Sequence, residues 1–179
     1  PFSAFDGSYY MYTEASINGQ GYPNKQAVMY VDCIDPTQWS SLGLAFAYHM
    51  YGSTMGTLSV DVSTDSGTTW INEWTLSGNQ GNQWSEVFVN LGSYTSNISV
   101  RFKGITGNSW RSDMAVDLVR FIEMPAYGCT DPFADNYDST ATYDDGSCIY
   151  IGCTDPYALN YCSYCNVNDS LSCLFYACK

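Results

Sequence analysis

Residue types able to do chemistry concentrate after residue 128, where seven of the eight cysteines lie. Two of these cysteines open near-identical decapeptides. Gly128-Cys129-Thr130-Asp131-Pro132-Phe133-Ala134-Asp135-Asn136-Tyr137 recurs as Gly152-Cys153-Thr154-Asp155-Pro156-Tyr157-Ala158-Leu159-Asn160-Tyr161, with eight of ten positions identical. The first copy closes with Asp144-Asp145-Gly146-Ser147-Cys148, the second with Asn168-Asp169-Ser170-Leu171-Ser172-Cys173. Aligning the copies pairs Cys129 with Cys148 and Cys153 with Cys173. Units this short cannot bury a core and need a staple. Each closed loop of about twenty residues contributes roughly 3 kcal/mol in the chain-entropy model. Cys162, Cys165, Cys178 and Cys33 then remain, with several pairings open. Cys162–Cys165 can form a tight loop, with Cys33 joined to Cys178 or free. Alternatively Cys162 or Cys165 joins Cys178, or Cys33 bonds a preceding stretch or another subunit. A rival is zinc held by Cys162, Cys165, Cys173 and Cys178, which would strand Cys153 and need a reducing compartment.

The same tail carries oxygen donors. Asp131, Asn136, Asp138, Asp144 and Asp145 stand close together in a Gly- and Asn-containing loop. Hard cations such as calcium take six to eight oxygens, backbone carbonyls included. The spacing is not that of an EF-hand, and the competing use of such residues is the Asx-turn. The second copy is a weaker candidate, because Cys162 and Cys165 replace acids and small residues. Catalysis has little to stand on: His49 is the sole histidine, and no nucleophile elbow, His-Glu-x-x-His motif or phosphate-cradling glycine loop occurs. The expectation is a protein that is not an enzyme. Sugar binding competes, since Trp39, Trp70, Trp74, Trp84 and Trp110 could build a stacking platform. Candidate glycosylation positions are Asn97 in Asn97-Ile98-Ser99, Asn168 in Asn168-Asp169-Ser170, and Ser139 in Asp138-Ser139-Thr140.

The elements that must position these groups read as strands. Leu42, Leu44, Phe46, Tyr48 and Met50 fall on one face of their segment, with Ala45, Ala47 and His49 on the other. Leu58, Val60 and Val62 alternate with Ser59, Asp61 and Ser63, and Ile98, Val100 and Phe102 with Ser99, Arg101 and Lys103. Strands are expected at residues 9–14, 26–31, 42–50, 57–63, 70–76, 85–91, 98–103 and 115–123, separated by turn signals such as Asp65-Ser66-Gly67 and Ser77-Gly78-Asn79. No segment sustains a 3.6-residue apolar period. The chain is therefore expected to be all-β: a jelly-roll β-sandwich over 1–124, then two small disulfide-stapled, loop-rich repeats at 125–150 and 151–179. Eighteen acids against six bases give a net charge of −12, too few cations for nucleic acid or an anionic membrane surface. No apolar run is long enough to span a membrane. Even cysteine count and scarce lysine point to an extracellular setting, and the opening at Pro1-Phe2-Ser3 reads as a piece of a longer secreted protein.

Two families are resembled. Leu44-Ala45-Phe46-Ala47-Tyr48-His49-Met50-Tyr51-Gly52-Ser53-Thr54-Met55-Gly56-Thr57-Leu58-Ser59-Val60 resembles the central signature of MAM domains. Residues 7–16 look like that family's first strand, and residues 78–84 and 112–117 like its later motifs. The resemblance covers roughly 1–123 and implies an extracellular jelly roll used in adhesion. It also implies a cation near the first strand and the closing acidic motif, to which Glu14, Asp113 and Asp117 correspond, with Asp6 close by. Two departures stand out: the family's earlier stretch is not present before Pro1, and Leu118 follows Asp117 where two adjacent acids are usual. The tail resembles Cys-Thr-Asp-Pro repeats, related to thrombospondin type 3 calcium repeats, of Bacteroidetes-type surface proteins. Together these imply an adhesive or structural module of a bacterial surface protein or filament, with calcium-stabilised repeats as connector. An open sheet edge would then pair with a neighbouring segment or another copy by strand addition. The alternative is a lectin-like module that binds glycans.

Overall fold

The computed structural model describes residues 1–16 and 20–176, so Cys178 and its expected pairings lie outside the described residues. The chain forms two compact units, Pro1–Met124 and Pro125–Lys179.

The first unit is a two-sheet antiparallel jelly-roll sandwich. Its strands are β1 (Met11–Tyr12), β2 (Gln26–Ile34), β3 (Leu42–Met50), β4 (Thr57–Ser63), β5 (Ile71–Ser77), β6 (Ser85–Asn90), β7 (Ile98–Ile105) and β8 (Met114–Glu123). One sheet runs β1-β8-β3-β6 and the other β2-β7-β4-β5. Alternation drives the packing: Leu58, Val60 and Val62 from one sheet meet Leu42, Leu44, Phe46 and Met50 from the other in a single buried cluster. Phe46 sits edge-on to Phe102 at 4.8 Å and to Trp74 at 5.3 Å. Burying each large apolar side chain stabilises the fold by about 1.5–3 kcal/mol. Gly56 and Gly107 let two loops cross closely, since a Cβ on either would strike a backbone carbonyl of Ile105 or Thr54.

Two differences from the alternation pattern have physical causes. The expected first strand over 9–14 shrinks to Met11–Tyr12, followed by one more ladder bond from the Thr13 amide to the Met114 carbonyl. The Ala15 amide then bonds the Asp113 carboxylate at 2.7 Å, which ends the ladder. In β3 the face opposite Leu44 and Phe46 is also buried, with Ala45 and Ala47 fully covered and His49 only 4% exposed. Residues 5 and 6 cross this face, donating their amides to Asp117, the register partner of Ala47. Small side chains at 45 and 47 make room for that crossing.

The opposite outer face holds an ion-pair cluster that alternation hid. Asp61, 2% exposed, accepts from Arg101 Nε at 2.8 Å and Asn72 Nδ2 at 2.8 Å, with Lys103 Nζ at 3.3 Å. Burial alone would raise its carboxyl, but the Asn72, Arg101 and Lys103 hydrogen bonds outweigh it and hold the group below the ordinary carboxylate range.

The second unit has almost no apolar interior. Each repeat is a two-residue parallel bridge, β9 (Tyr127–Gly128) with β10 (Tyr143–Asp144), and β11 (Ile151–Gly152) with β12 (Val167–Asn168). Disulfides join Cys129–Cys148, Cys153–Cys173 and Cys162–Cys165. These bonds remove the thiols that the zinc alternative required. Cys33 makes no disulfide among the described residues. The repeats clasp each other through bonds that include Ile151 amide to Asp135 at 2.6 Å, Asn166 Nδ2 to the Cys148 carbonyl at 2.7 Å and Tyr150 amide to Asn166 Oδ1 at 2.9 Å, while the Tyr150 hydroxyl meets Asp131 at 2.5 Å within the first repeat.

Candidate functional site

The sandwich is indented at one end of the β1-β8-β3-β6 sheet by a recess of about 430 Å³. Tyr12 reaches it from β1, His49 from the end of β3, Tyr51 from the residue beyond, and Asp113 from just before β8. Rings run around it in series. Tyr12 lies 6.0 Å from Tyr10, Tyr10 5.6 Å from Trp84, Trp84 5.6 Å from His49, and His49 6.5 Å from Tyr51. Trp84 stands behind this arc, its indole N–H donated to the Ser3 carbonyl.

Two carboxylates complete the recess. Glu14 accepts the Ser16 amide at 2.8 Å, which with the Ser16 side chain holds it below its usual range. Burial pushes the Asp113 carboxyl up, against the pull of the Ala15 amide, and the negative charge of Glu14 adds to the rise. His49 Nε2 lies 3.1 Å from Asn82 Oδ1, and the buried Nδ1 has no hydrogen-bond partner among the described residues. Burial lowers the His49 pKa and so favours the neutral ring.

The expected cation donors are thus divided. Glu14 and Asp113 share the recess, whereas Asp117 spends one oxygen on the Phe5 and Asp6 amides and the other on the Leu118 amide. The Asp6 side chain is exposed. In the tail each acid closes a turn: Asp131 accepts the Phe133 amide, Asp138 the Thr140 amide, Asp144 the Gly146 amide and Asp145 the Ser147 amide. Asn136 bridges the Ser147 carbonyl and the Ile149 amide. Among the described residues, no three His, Cys, Asp or Glu side chains converge in a group able to hold a metal ion. Side chains of these types alone therefore do not supply, among the described residues, the six to eight oxygens that calcium takes.

Of the five tryptophans, Trp74 enters the core, Trp39 packs on Phe121 at 6.3 Å, and Trp70 lies under the Arg101 guanidinium at 4.3 Å. Trp110 is 54% exposed, with Arg111 4.8 Å above its ring, beside a second recess of about 590 Å³ that includes Tyr51 and Asn79. Asn97 and Ser139 are exposed. At the sandwich edge between β1 and β2, an apolar groove of about 110 Å³ reaches Leu58, Phe102 and Met114. The outer strand β2 beside it exposes Val28, Tyr30 and Val31, and Cys33 lies at its bulge with φ of 60°.

Similarity to known proteins agrees with this architecture. The model of the family "MAM domain, meprin/A5/mu" matches residues 3–129. MAM domain-containing glycosylphosphatidylinositol anchor protein 2 of Mus musculus is 39% identical over 85 residues, covering 47% of this chain and 9% of that protein. Neuropilin-1 of Xenopus laevis is 33% identical over 113 residues, covering 63% of this chain and 12% of that protein. The chain therefore matches only a small fraction of these relatives' lengths. A solved cleaved adhesin domain of Lys-gingipain from Porphyromonas gingivalis overlays with a TM-score of 0.48 at 11% identity, covering 64% of this chain and 74% of that one. With both sheets of the sandwich inside the matched span, the chain belongs to the MAM domain family.

Proposed function

We propose that this chain is an extracellular, non-catalytic adhesive module, in which the sandwich presents contact surfaces and the stapled tail serves as a connector. The observation that carries this reading is the recess, where the Tyr10, Tyr12 and Tyr51 rings gather with Glu14 and Asp113 on the surface of the sandwich. Three cystines in the described chain support an oxidising compartment. Membership of the MAM family supports a role in contact, and the printed name of the mouse relative, a glycosylphosphatidylinositol anchor protein, supports a surface setting. The open β2 edge and its apolar groove support a second contact, strand addition from a neighbouring segment or another copy. Interferometry of the whole chain against an array of secreted and surface proteins is expected to find saturable partners. An array without any partner would overturn the reading.

A glycan-binding reading is favoured by one observation, the exposed Trp110 ring beside Arg111, Asn79 and Tyr51, which offers a stacking face with both donors and acceptors. Saturable binding on a glycan array, abolished by Trp110→Ala, would establish it.

A further inference from the structure

We infer that β2 is the surface through which two copies of this chain pair, edge to edge and antiparallel, about a two-fold axis near the middle of the strand. This rests on the adhesive reading and names the occupant of its second contact. β2 is an outer strand of the β2-β7-β4-β5 sheet, so one side of its backbone has no ladder partner. It runs for nine residues, Gln26–Ile34, where an ordinary strand has about five or six. Charges, prolines and bulges are the devices by which soluble proteins blunt such an edge. Between Gln26 and Val31 there is no charge and no proline, and the bulge comes only after Val31.

The other outer strands are blunted. β1 is two residues long. β5 carries Glu73, and its pairing with β4 is broken by a register shift at Val60/Asp61. β6 carries Glu86, which holds Arg120. Among the outer strands described, only β2 offers a long uncharged run, and both of its faces suit a second strand. Met29 and Val31 stand opposite Phe102 and Val100, members of the core, and so point inward. Val28 and Tyr30 stand opposite Lys103 and Arg101 on the outer face, where they are 41% and 63% exposed. Ala27, Val28 and Met29 border the apolar groove that reaches Leu58 and Phe102, so an added strand extends an apolar row beside it.

The ends of the strand select the occupant. Lys25 precedes the uncharged run and Asp32 follows it, and both are exposed. Two β2 strands related by a two-fold axis run antiparallel, so the basic end of each meets the acidic end of the other. With the axis at Met29, Val28 faces the partner's Tyr30 on the outer side, and Lys25 comes within one residue of the partner's Asp32. Opposite charges across a strand pair stabilise it, and like charges oppose it. Another extended segment would carry this reversed pattern only by coincidence, whereas a second copy carries it by symmetry. The net charge of −12 opposes self-association at long range, but Lys25 and Asp32 sum to zero at the contact itself. Pairing that uses up the one open edge of this kind closes at two copies.

The test is sedimentation equilibrium of the whole chain from micromolar to millimolar concentration, carrying Cys33→Ser so that no intermolecular disulfide contributes. The weight-average mass is expected to rise towards twice that of the monomer. Lys25→Glu sets like charges side by side twice and is expected to weaken pairing about ten-fold, and adding Asp32→Lys to it is expected to restore pairing. Val28→Lys is expected to abolish pairing across this range. All three positions are exposed on an edge where lysine is tolerated, so these variants are expected to fold, with an unchanged urea midpoint as the check. A mass that stays monomeric at every concentration, a dimer indifferent to Lys25→Glu and Val28→Lys, or a charge reversal that fails to restore pairing would each overturn the inference. The protein array separates the two levels. Partners on the array for a chain that stays monomeric would sink the self-pairing alone, whereas neither partners nor a dimer would sink the adhesive reading as well.

Discussion

The two units of this chain solve the same problem by different means. The sandwich is held by an apolar interior in which Leu44, Phe46 and Val60 are fully buried. The tail buries little beyond Cys129, Ala134, Cys153 and Ala158, and it is held by three disulfides and by turn-closing carboxylates. Folding of a short segment cannot be driven by area it does not have, so covalent bonds replace the missing hydrophobic term. The contrast also explains where unpartnered groups are found. A turn in the tail depends on its acid, whereas a sandwich with a full core can keep an unpaired His49 nitrogen at its rim.

The comparison breaks most visibly under reduction. A reductant is expected to abolish amide protection throughout residues 125–176 while leaving the sandwich strands protected, measured by hydrogen exchange with mass spectrometry. Loss of protection in β3 and β4 on reduction would mean that the units do not differ as described. The converse change is Phe46→Ala, which is expected to destabilise the sandwich by about 3–5 kcal/mol in urea unfolding while the tail's exchange pattern stays unchanged.

Much of this division was legible beforehand. The period of two in Leu58, Val60 and Val62 assigned the core face, because a strand covered on one side leaves no other placement for three aliphatic residues. The duplicated decapeptide aligned Cys129 with Cys148 and Cys153 with Cys173, the pairs that the structure joins. The recess was not legible as a site. Glu14 and Asp113 were singled out through a family resemblance, but Tyr10, Tyr12, Tyr51 and Asn82 come from separate stretches that only the jelly-roll path unites. Alternation placed His49 on the face opposite Leu44 and Phe46, but it cannot report that residues 5 and 6 fold across that face. The Asp61 cluster was hidden for a related reason: Arg101 and Lys103 sit opposite it only once the β4–β7 register is known, with Asp61 facing Arg101.

That cluster sharpens the contrast at a smaller scale. Asp61→Ala is expected to cost about 1–3 kcal/mol, because Arg101 and Lys103 lose a buried acceptor yet keep some access to water. The sign of the pH effect follows from the lowered carboxyl. Its contribution is complete above the ordinary carboxylate range and disappears as pH falls through the depressed folded value. Wild type should therefore lose stability on acidification more steeply than Asp61→Ala, as read from urea midpoints across an acid series.

The smallest expected effect is that of calcium. The tail acids already close turns, so calcium or a chelator is expected to leave the thermal transitions of both units in place. A calcium-dependent rise of several degrees in a tail transition, with heat in calorimetry, would show that the loops rearrange around a cation.

The covalent character of the tail is tested most directly by a non-reducing peptide map of protein isolated without reductant. Peptides linking Cys129 to Cys148, Cys153 to Cys173 and Cys162 to Cys165 are predicted, with Cys33 open to a thiol reagent. Recovery of these six tail cysteines as free thiols in a tail that still protects its amides would contradict the account.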